Sequence, residues 1–94
     1  MTEPRFCYQP TRAISARIVD NQLIILRPGS DELLRFNEVA TFIWSILEKG
    51  PADFQTLLEA ILSEFEVEIS EARVDLDSFL AEMTNQALIE AVPA

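Results

Sequence analysis

The spacing of hydrophobic positions changes once along the chain, from a period of two to a helical period. Residues 14–19 alternate between apolar and other side chains, which predicts a half-buried strand. Residues 23–26 are continuously apolar, a pattern typical of a strand covered on both faces. A third short strand is predicted at residues 32–36. Turn-forming residues at 20–22 and 27–31 separate these segments, so we predict a three-stranded antiparallel meander with two free edges.

Beyond residue 36 the apolar positions indicate three amphipathic helices. Asn37 is a suitable N-cap for the first helix, and Gly50 with Pro51 ends it. The second helix is predicted to start at Asp53, and Ser70 is predicted to cap the third. The predicted buried stripes are Val39, Phe42, Ile43, Ile46 and Leu47, then Phe54, Leu57, Leu58, Ile61, Leu62 and Phe65, then Ala72, Leu76, Phe79, Leu80, Met83 and Ala87.

The order of elements is that of a small α+β domain, in which the meander is followed by three helices. Residues 88–92 are expected to close the chain as a short extended segment. We place a single domain at residues 12–92, after a flexible N-terminal tail at residues 1–11. The arrangement is winged-helix-like, a likeness of fold that carries no function by itself.

Catalytic chemistry finds little support in the composition. The chain has no histidine, the most common general base and metal ligand, and Cys7 is its only cysteine. A lone thiol in a predicted tail, without an activating base, is more simply an incidental residue than a nucleophile. With two glycines, the chain also lacks a phosphate-binding loop. The sequence therefore predicts no catalytic residue, no metal site and no cofactor.

Charge is distributed unevenly between the two halves. Residues 1–36 carry a net charge of +1, whereas residues 37–94 hold two basic and twelve acidic residues and carry −10. Because nucleic acids are bound mainly through Lys and Arg, the helical half is expected to repel them. The sequence also contains no apolar run of membrane-spanning length and no secretory signal at its start. We therefore expect a cytoplasmic protein that binds neither nucleic acid nor membrane.

Two alternative functions are considered from the residues. A winged-helix DNA-binding or regulatory domain fits the predicted fold but conflicts with the charge of the helical half. An acyl-carrier-like protein would carry phosphopantetheine on Ser78, in the passage Leu76-Asp77-Ser78-Phe79. Against this alternative, Ser78 lies inside a predicted helix and the chain opens with strands.

Two features indicate a binding groove. The third strand is predicted at a sheet edge, and an open edge accepts an extended peptide through main-chain hydrogen bonds. The third helix carries a second apolar strip, Val74 and Ala81, opposite its buried face and bordered by Arg73 and Asp77. The strand register stays open here: either Leu34 and Phe36 or Leu33 and Arg35 face the groove, since a slip of one residue inverts the answer.

A family resemblance covers roughly residues 12–91. It rests on the passages Asp20-Asn21-Gln22-Leu23-Ile24-Ile25-Leu26, Leu34-Arg35-Phe36-Asn37-Glu38-Val39-Ala40 with Ile43-Trp44, and Asp75-Leu76 with Phe79-Leu80. In this order and spacing they resemble the pyrroloquinoline-quinone biosynthesis protein D family. The sequence departs from the family pattern in having Phe36 for the usual leucine, Asp20-Asn21 for Asp-Gly, and no glycine near Ala87.

The resemblance implies a non-catalytic recognition element for ribosomally made, post-translationally modified peptides (RiPPs). In that family the leader of a precursor peptide adds as a strand to the third strand and lies against the third helix. A separate enzyme, either a radical S-adenosylmethionine (SAM) enzyme or a leader peptidase or cyclase, then acts on the held peptide. The peptide-binding residues implied here are Glu32, Leu33, Leu34, Arg35, Phe36, Arg73, Val74, Asp75, Asp77, Leu80 and Ala81.

The resemblance leaves three questions open. It does not identify the peptide or the enzyme, and it allows a monomer or a homodimer paired through a free strand edge. It also does not decide which flank of the third helix faces the groove, because Asp75 and Asp77 lie on different flanks.

Overall fold

The computed structural model describes residues 6–12, 14–27 and 29–93. Its elements are β1 (Phe6–Pro10), β2 (Ser15–Val19), β3 (Gln22–Leu26), β4 (Leu33–Arg35), α1 (Glu38–Lys49), β5 (Ala52–Asp53), α2 (Phe54–Glu64), α3 (Ile69–Asn85) and β6 (Ile89–Pro93). The predicted α+β class, with a meander followed by three helices, is confirmed.

The meander is the sheet β2-β3-β4, with β3 in the centre and both neighbours antiparallel to it. Asp20 and Asn21 form the first turn with φ angles of 51° and 62°. Their short polar side chains make this left-handed backbone less costly than it is for most residues. The second turn contains Gly29 at a φ of 76°, and the backbone bond from Arg27 N–H to the Glu32 carbonyl, 2.9 Å, closes it. Both predicted turns are therefore present.

The helices cover one face of the meander only. Leu23 and Ile25 are fully buried against the helices, whereas Leu26 is 40% exposed. The prediction that residues 23–26 are covered on both faces is therefore wrong. The continuous apolar run reflects one core-facing row and one solvent-facing row of apolar side chains, since successive residues of a strand point to opposite faces.

A second sheet, of order β5-β1-β6, lies where a flexible tail was expected. Residues 6–10 form β1, which pairs antiparallel with β6 along its whole length and with the short β5 on its other side. Thr11 continues the pairing by donating its N–H to the Leu88 carbonyl at 3.0 Å. The expected tail is thus corrected for residues 6–11, because pairing with β6 orders them and Cys7 and Tyr8 also pair with β5. Residues 1–5 lie outside the described residues.

Two of the three predicted N-cap residues cap their helices through a side-chain hydrogen bond. Asn37 and Asp53 cap α1 and α2, accepting the N–H groups of Ala40 and Thr56 at 2.9 and 2.8 Å. The prediction for Ser70 is wrong. The third helix begins at Ile69, two residues earlier than a cap at Ser70 would place it, and Glu68 occupies its cap position without a side-chain bond. No helix in the described ranges is long and apolar enough to cross a membrane.

A single hydrophobic core holds the three helices against the meander and β6. Its largest fully buried side chains are Trp44, Leu23, Ile25, Ile43, Leu47, Leu57, Leu58, Ile61, Leu76, Met83, Leu88 and Ile89. Leu88 enters the core directly after a tight turn that ends α3. In this turn the N–H groups of Ala87 and Leu88 donate to the carbonyls of Thr84 and Met83 at 3.0 and 2.9 Å, the pattern of a Schellman motif.

Candidate functional site

A groove of about 450 Å³ lies between β4 and α3, and we call it the β4–α3 groove. Its volume falls within the range of pockets that hold ligands. The residues that line it are Arg35, Phe36, Asn37, Val39, Ala40, Ile43, Asp75, Ser78, Phe79 and Glu82. The groove thus joins the end of the meander, the first two turns of α1 and one flank of α3.

The floor of the groove is apolar. Ala40 and Ile43 are buried, while Phe36, Val39 and Phe79 are half-buried and pack against the core. A half-buried aromatic ring has one side in the core and the other open to a ligand. The floor therefore offers apolar surface to the side chains of a ligand.

The rim of the groove is charged and polar. Arg35 belongs to the strand wall, and Asp75 and Glu82 belong to the helix wall, seven residues apart on one face of α3. Within the described residues, the one ion pair joins Arg27 and Glu32 at 3.1 Å. None of the three charged groups at the rim is therefore neutralised by an ion pair in the described part of the chain.

The strand wall ends in a free backbone edge. Phe36 donates its N–H to the Leu23 carbonyl at 3.0 Å, so residue 36 points its backbone groups toward β3. Backbone groups in an antiparallel strand point alternately to its two sides. Leu34 therefore also bonds toward β3, whereas Leu33 and Arg35 turn their N–H and carbonyl groups outward. These outward groups form a template on which an extended chain can pair.

A network of hydrogen bonds fixes the strand wall to the floor. The Thr41 hydroxyl accepts the Leu23 N–H and donates to the Asn37 carbonyl, each at 2.8 Å. The Asn37 side chain in turn caps α1. Because Leu23 also pairs with Phe36, hydrogen bonds connect the end of β4, the start of β3 and the start of α1.

The structure settles which side chains of β4 face inward. Leu34 pairs with the fully buried Ile25 and lies on the core side, and Phe36 follows on the same side. Leu33 and Arg35 lie on the opposite side, where Leu33 is 54% exposed. Glu32 lies in the turn before β4, where its side chain accepts from Arg27.

Of the predicted residues on α3, the structure brings Asp75 into the β4–α3 groove. Asp77 and Ala81 lie on the other flank of the helix, where they line a separate cleft with β1 and β6. Leu80 lines that cleft too, but it is only 3% exposed and belongs to the core. Arg73 and Val74 are exposed and line neither the groove nor this cleft. The second apolar strip therefore does not face β4.

Three residues of α3 in the groove were not among the predicted binding residues: Ser78, Phe79 and Glu82. Ser78 was considered only as a modification site, and Phe79 was assigned to the core. A signal was available, because residues three, four and seven positions after Asp75 share its flank. A binding role for Asp75 therefore also predicts that Ser78, Phe79 and Glu82 lie in the groove.

The side of the meander that faces away from the helices is an exposed surface, which we call the outer face. By register its members are Ser15, Arg17, Val19, Gln22, Ile24, Leu26, Leu33 and Arg35. Leu26 lies directly opposite Leu33, and Ile24 lies between Arg17 and Arg35. The outer face thus combines apolar side chains with two arginines and no acid.

No metal centre is found in the part of the chain that the structure describes. There, no three cysteine or carboxylate side chains come together as a metal site. Cys7 is a free, half-buried residue of β1 and lies outside the groove lining. The chemistry that this site offers is recognition by backbone edge, apolar floor and charged rim.

Comparison with known proteins assigns the chain to a family. The family described as Coenzyme PQQ synthesis protein D (PqqD) matches residues 22–89, which include β3, β4 and all three helices. The chain belongs to the PqqD family. Among curated proteins, none matches the chain.

Two solved structures resemble this PqqD-family chain over nearly its whole length. One is TbiB1 in complex with the TbiA(beta) leader peptide, with 26% identity and a TM-score of 0.76, covering 87% of this chain and 94% of that one. The other is lasso peptide synthetase B1 complexed with the leader peptide, with 23% identity and a TM-score of 0.72, covering 92% and 98%. At that identity the second likeness shows the fold alone. Neither the family match nor these structures support a DNA-binding or acyl-carrier function.

Proposed function

We propose that this PqqD-family chain binds the leader segment of a ribosomally made precursor peptide and presents it to a separate modifying enzyme. The observation that carries the proposal is the free backbone edge of β4 beside an apolar groove walled by α3. Membership of the PqqD family supports it, as does the similarity to TbiB1, whose structure contains a leader peptide. The product pathway can be that of pyrroloquinoline quinone or of a related modified peptide.

Binding would proceed by strand addition. An extended leader pairs with the outward N–H and carbonyl groups of Leu33 and Arg35, which supplies affinity without reading the sequence. Its inward side chains then enter the groove over Phe36 and Phe79, and these contacts supply selectivity. The proposed binding residues are Leu33, Leu34, Arg35, Phe36, Asp75, Ser78, Phe79 and Glu82.

The proposed role is non-catalytic and needs no cofactor. A peptide tethered beside an active site reaches an effective concentration in the millimolar range, which accelerates its modification without any reactive group on the tether. The lack of histidine in the sequence agrees with this division of labour. A cytoplasmic site of action follows from the proposed substrate, a precursor released by the ribosome.

Presentation also requires contact with the modifying enzyme, proposed to be a radical SAM enzyme or a leader peptidase or cyclase. The outer face of the meander is the candidate surface, because Val19, Leu26 and Leu33 are each at least 40% exposed there. Exposed apolar side chains grouped on one face are typical of protein interaction sites. A leader strand added to β4 would extend this face by one strand, so that the enzyme would meet the loaded complex as one continuous surface.

The proposal is tested by amide NMR titration of the ¹⁵N-labelled protein with a synthetic leader. The sequence of this leader is taken from the precursor peptide encoded beside the gene of this protein. We expect shifts concentrated in residues 33–37 and 75–82, and little change in α2, which contributes no residue to the groove. A saturable change confined to these two segments supports strand addition at β4. An unchanged spectrum at millimolar peptide would refute the proposed function.

The alternatives predict other outcomes in parallel experiments. A DNA-binding domain would show salt-dependent binding to duplex DNA. An acyl carrier would gain the mass of phosphopantetheine at Ser78 when a phosphopantetheinyl transferase is supplied. Either outcome, with an unchanged leader titration, would replace the present proposal.

A further inference from the structure

The two walls of the β4–α3 groove carry opposite charges. Arg35 stands on the strand wall, and Asp75 and Glu82 stand on the helix wall. The Glu82 carboxylate accepts only a long hydrogen bond, 3.4 Å, from the Gln86 amide among the described residues. All three charges are therefore available to a peptide paired with β4, the two carboxylates on its inward side and Arg35 on the outer face.

The register of β4 decides which wall each peptide side chain meets. In any β-ladder, residues directly across from each other point to the same face of the sheet. Peptide side chains beside Leu33 and Arg35 would therefore lie on the outer face. Those beside Leu34 and Phe36 would face the groove floor and α3. This assignment holds whether the peptide runs parallel or antiparallel to β4.

The helix wall has a defined spacing. Asp75 and Glu82 are about 10 Å apart along the axis of α3, with Phe79 between them. Inward side chains of an added strand recur about every 7 Å. When one inward apolar side chain lies over Phe79, a long inward neighbour such as lysine or arginine can reach one of the two carboxylates.

Resting on the function proposed above, we propose that the groove selects leaders by an alternating charge pattern. The inward positions hold one apolar anchor over Phe36 and Phe79, and next to it a lysine or arginine that faces Asp75 or Glu82. The outward position beside Arg35 holds a carboxylate. The substrate class is thus an extended segment whose inward side is apolar and basic and whose outward side is acidic.

Electrostatics favours this pattern over its reverse. An acidic inward side chain would approach two carboxylates of the same sign, and its partial burial would add a desolvation cost. The carboxylates of Asp75 and Glu82 are exposed, so each contact is modest. We expect each correct charge pair to change the dissociation constant by roughly 1.5-fold to fivefold.

The test measures binding of the fluorescently labelled leader from the adjacent precursor gene to the full chain. The variant Asp75→Asn/Glu82→Gln is compared with Glu59→Gln/Glu64→Gln, which removes the same net charge from α2, outside the groove lining. A second leader has its basic residues replaced by glutamine. We expect the groove variant to bind the native leader roughly threefold to fivefold more weakly, and the α2 variant to bind it as the parent protein does. The groove variant should also lose its preference for the native leader over the neutralised one.

Three results overturn the inference, and they are distinguishable. If the parent protein binds the leader and both double variants bind it equally, charge selection is refuted while the proposed function stands. Charge selection is likewise refuted if the tightly bound leader segment contains no lysine or arginine. If the parent protein does not bind the leader at all, the proposed function fails and this inference fails with it.

Discussion

The Thr41 hydroxyl accepts the backbone N–H of Leu23 at 2.8 Å, although the two residues are eighteen positions apart. Both residues are buried, and this bond satisfies a donor that water cannot reach. It joins the central strand of the meander to the first turn of α1. The bond therefore helps to fix the position of the groove floor relative to its strand wall.

Replacing this hydroxyl tests how much the bond contributes. We expect Thr41→Val to lower the free energy of unfolding by about 1–3 kcal/mol, because the Leu23 N–H would remain buried without an acceptor. Thr56→Val is the matched control at an exposed position and should change stability by less than about 0.5 kcal/mol. Urea unfolding followed by the fluorescence of Trp44, the single tryptophan, measures both. Equal effects of the two variants would show that the Leu23 bond adds no stability.

A proline at the free edge of β4 tests strand addition directly. Leu33→Pro removes an N–H that points away from β3, so the meander should stay intact, as edge strands tolerate proline there. We expect leader affinity to fall roughly fivefold to tenfold through the loss of one backbone hydrogen bond. Leu33→Ala keeps the N–H and separates the effect of the side chain.

The opposite edge of the same sheet provides the second control. By the alternation of the ladder, Ile18 of β2 also points its N–H outward, on the edge away from the groove. Ile18→Pro should bind the leader as the parent protein does. Isothermal titration calorimetry with circular dichroism gives affinity and fold for each variant. A similar loss of affinity in both proline variants would contradict binding at β4.

The apolar floor of the groove should contribute strongly to leader affinity. Phe79→Ala removes a half-buried ring from the floor, and we expect at least tenfold weaker leader binding. Some stability should also be lost, about 1–3 kcal/mol, since the ring packs on the core. Phe54→Ala removes a half-buried ring outside the groove and serves as the control for stability. If both variants weaken binding equally, the floor is not the anchor site.

The outer face can be tested separately from leader binding. In Val19→Glu/Leu26→Glu, two exposed apolar side chains are replaced by charges. We expect the rate of leader-dependent modification by the partner enzyme to fall at least tenfold, with leader affinity unchanged within about twofold. Ile69→Glu, at a 52% exposed position on α3, is the control and should leave the rate unchanged. Equal rates for all three proteins would exclude the outer face as the docking surface.

The turn after α3 contains a strained residue whose replacement should stabilise the fold. Ala87 occupies a left-handed conformation with a φ of 59°, at the position where Schellman motifs usually have glycine. Ala87→Gly should raise the free energy of unfolding by about 0.5–1 kcal/mol, since relief of strain exceeds the added chain entropy. The same substitution inside the helix, Ala81→Gly, should destabilise by about 1 kcal/mol. The melting temperatures of the two variants, measured by thermal unfolding, should therefore shift in opposite directions.

Local signals in the sequence account for what was predicted correctly. The helical stripes apart from Ala87, the caps at Asn37 and Asp53 and the turn at Asp20 and Asn21 each depend on neighbouring residues only. Ala87 was predicted to be buried, but it is exposed, because it lies in the turn after α3 rather than on the helix. The strand β1 gave no such signal. It is five residues long and ends in a proline, and its partner β6 lies about eighty positions away.

The groove was predicted in part for a related reason. The sequence identified the edge strand and the helix that wall it, but the buried face of α3 leaves two equivalent flanks. Which flank meets β4 depends on the direction in which α3 crosses the meander, a tertiary property. Asp75 lies on the flank that meets β4, and Asp77 lies on the one that does not.

The pairing of β1 with β6 has a consequence for engineering. Phe6 lies directly opposite Pro93, so the entry and exit of the described chain are adjacent, on a sheet that contributes no residue to the β4–α3 groove. A short glycine-serine linker could join these two points, and new termini could be opened in the turn between β2 and β3. The same proximity means that a fluorophore or a second protein attached at either end would occupy the same region of space. A circularly permuted chain, or one with a label or protein attached at these ends, would keep the β4–α3 groove free.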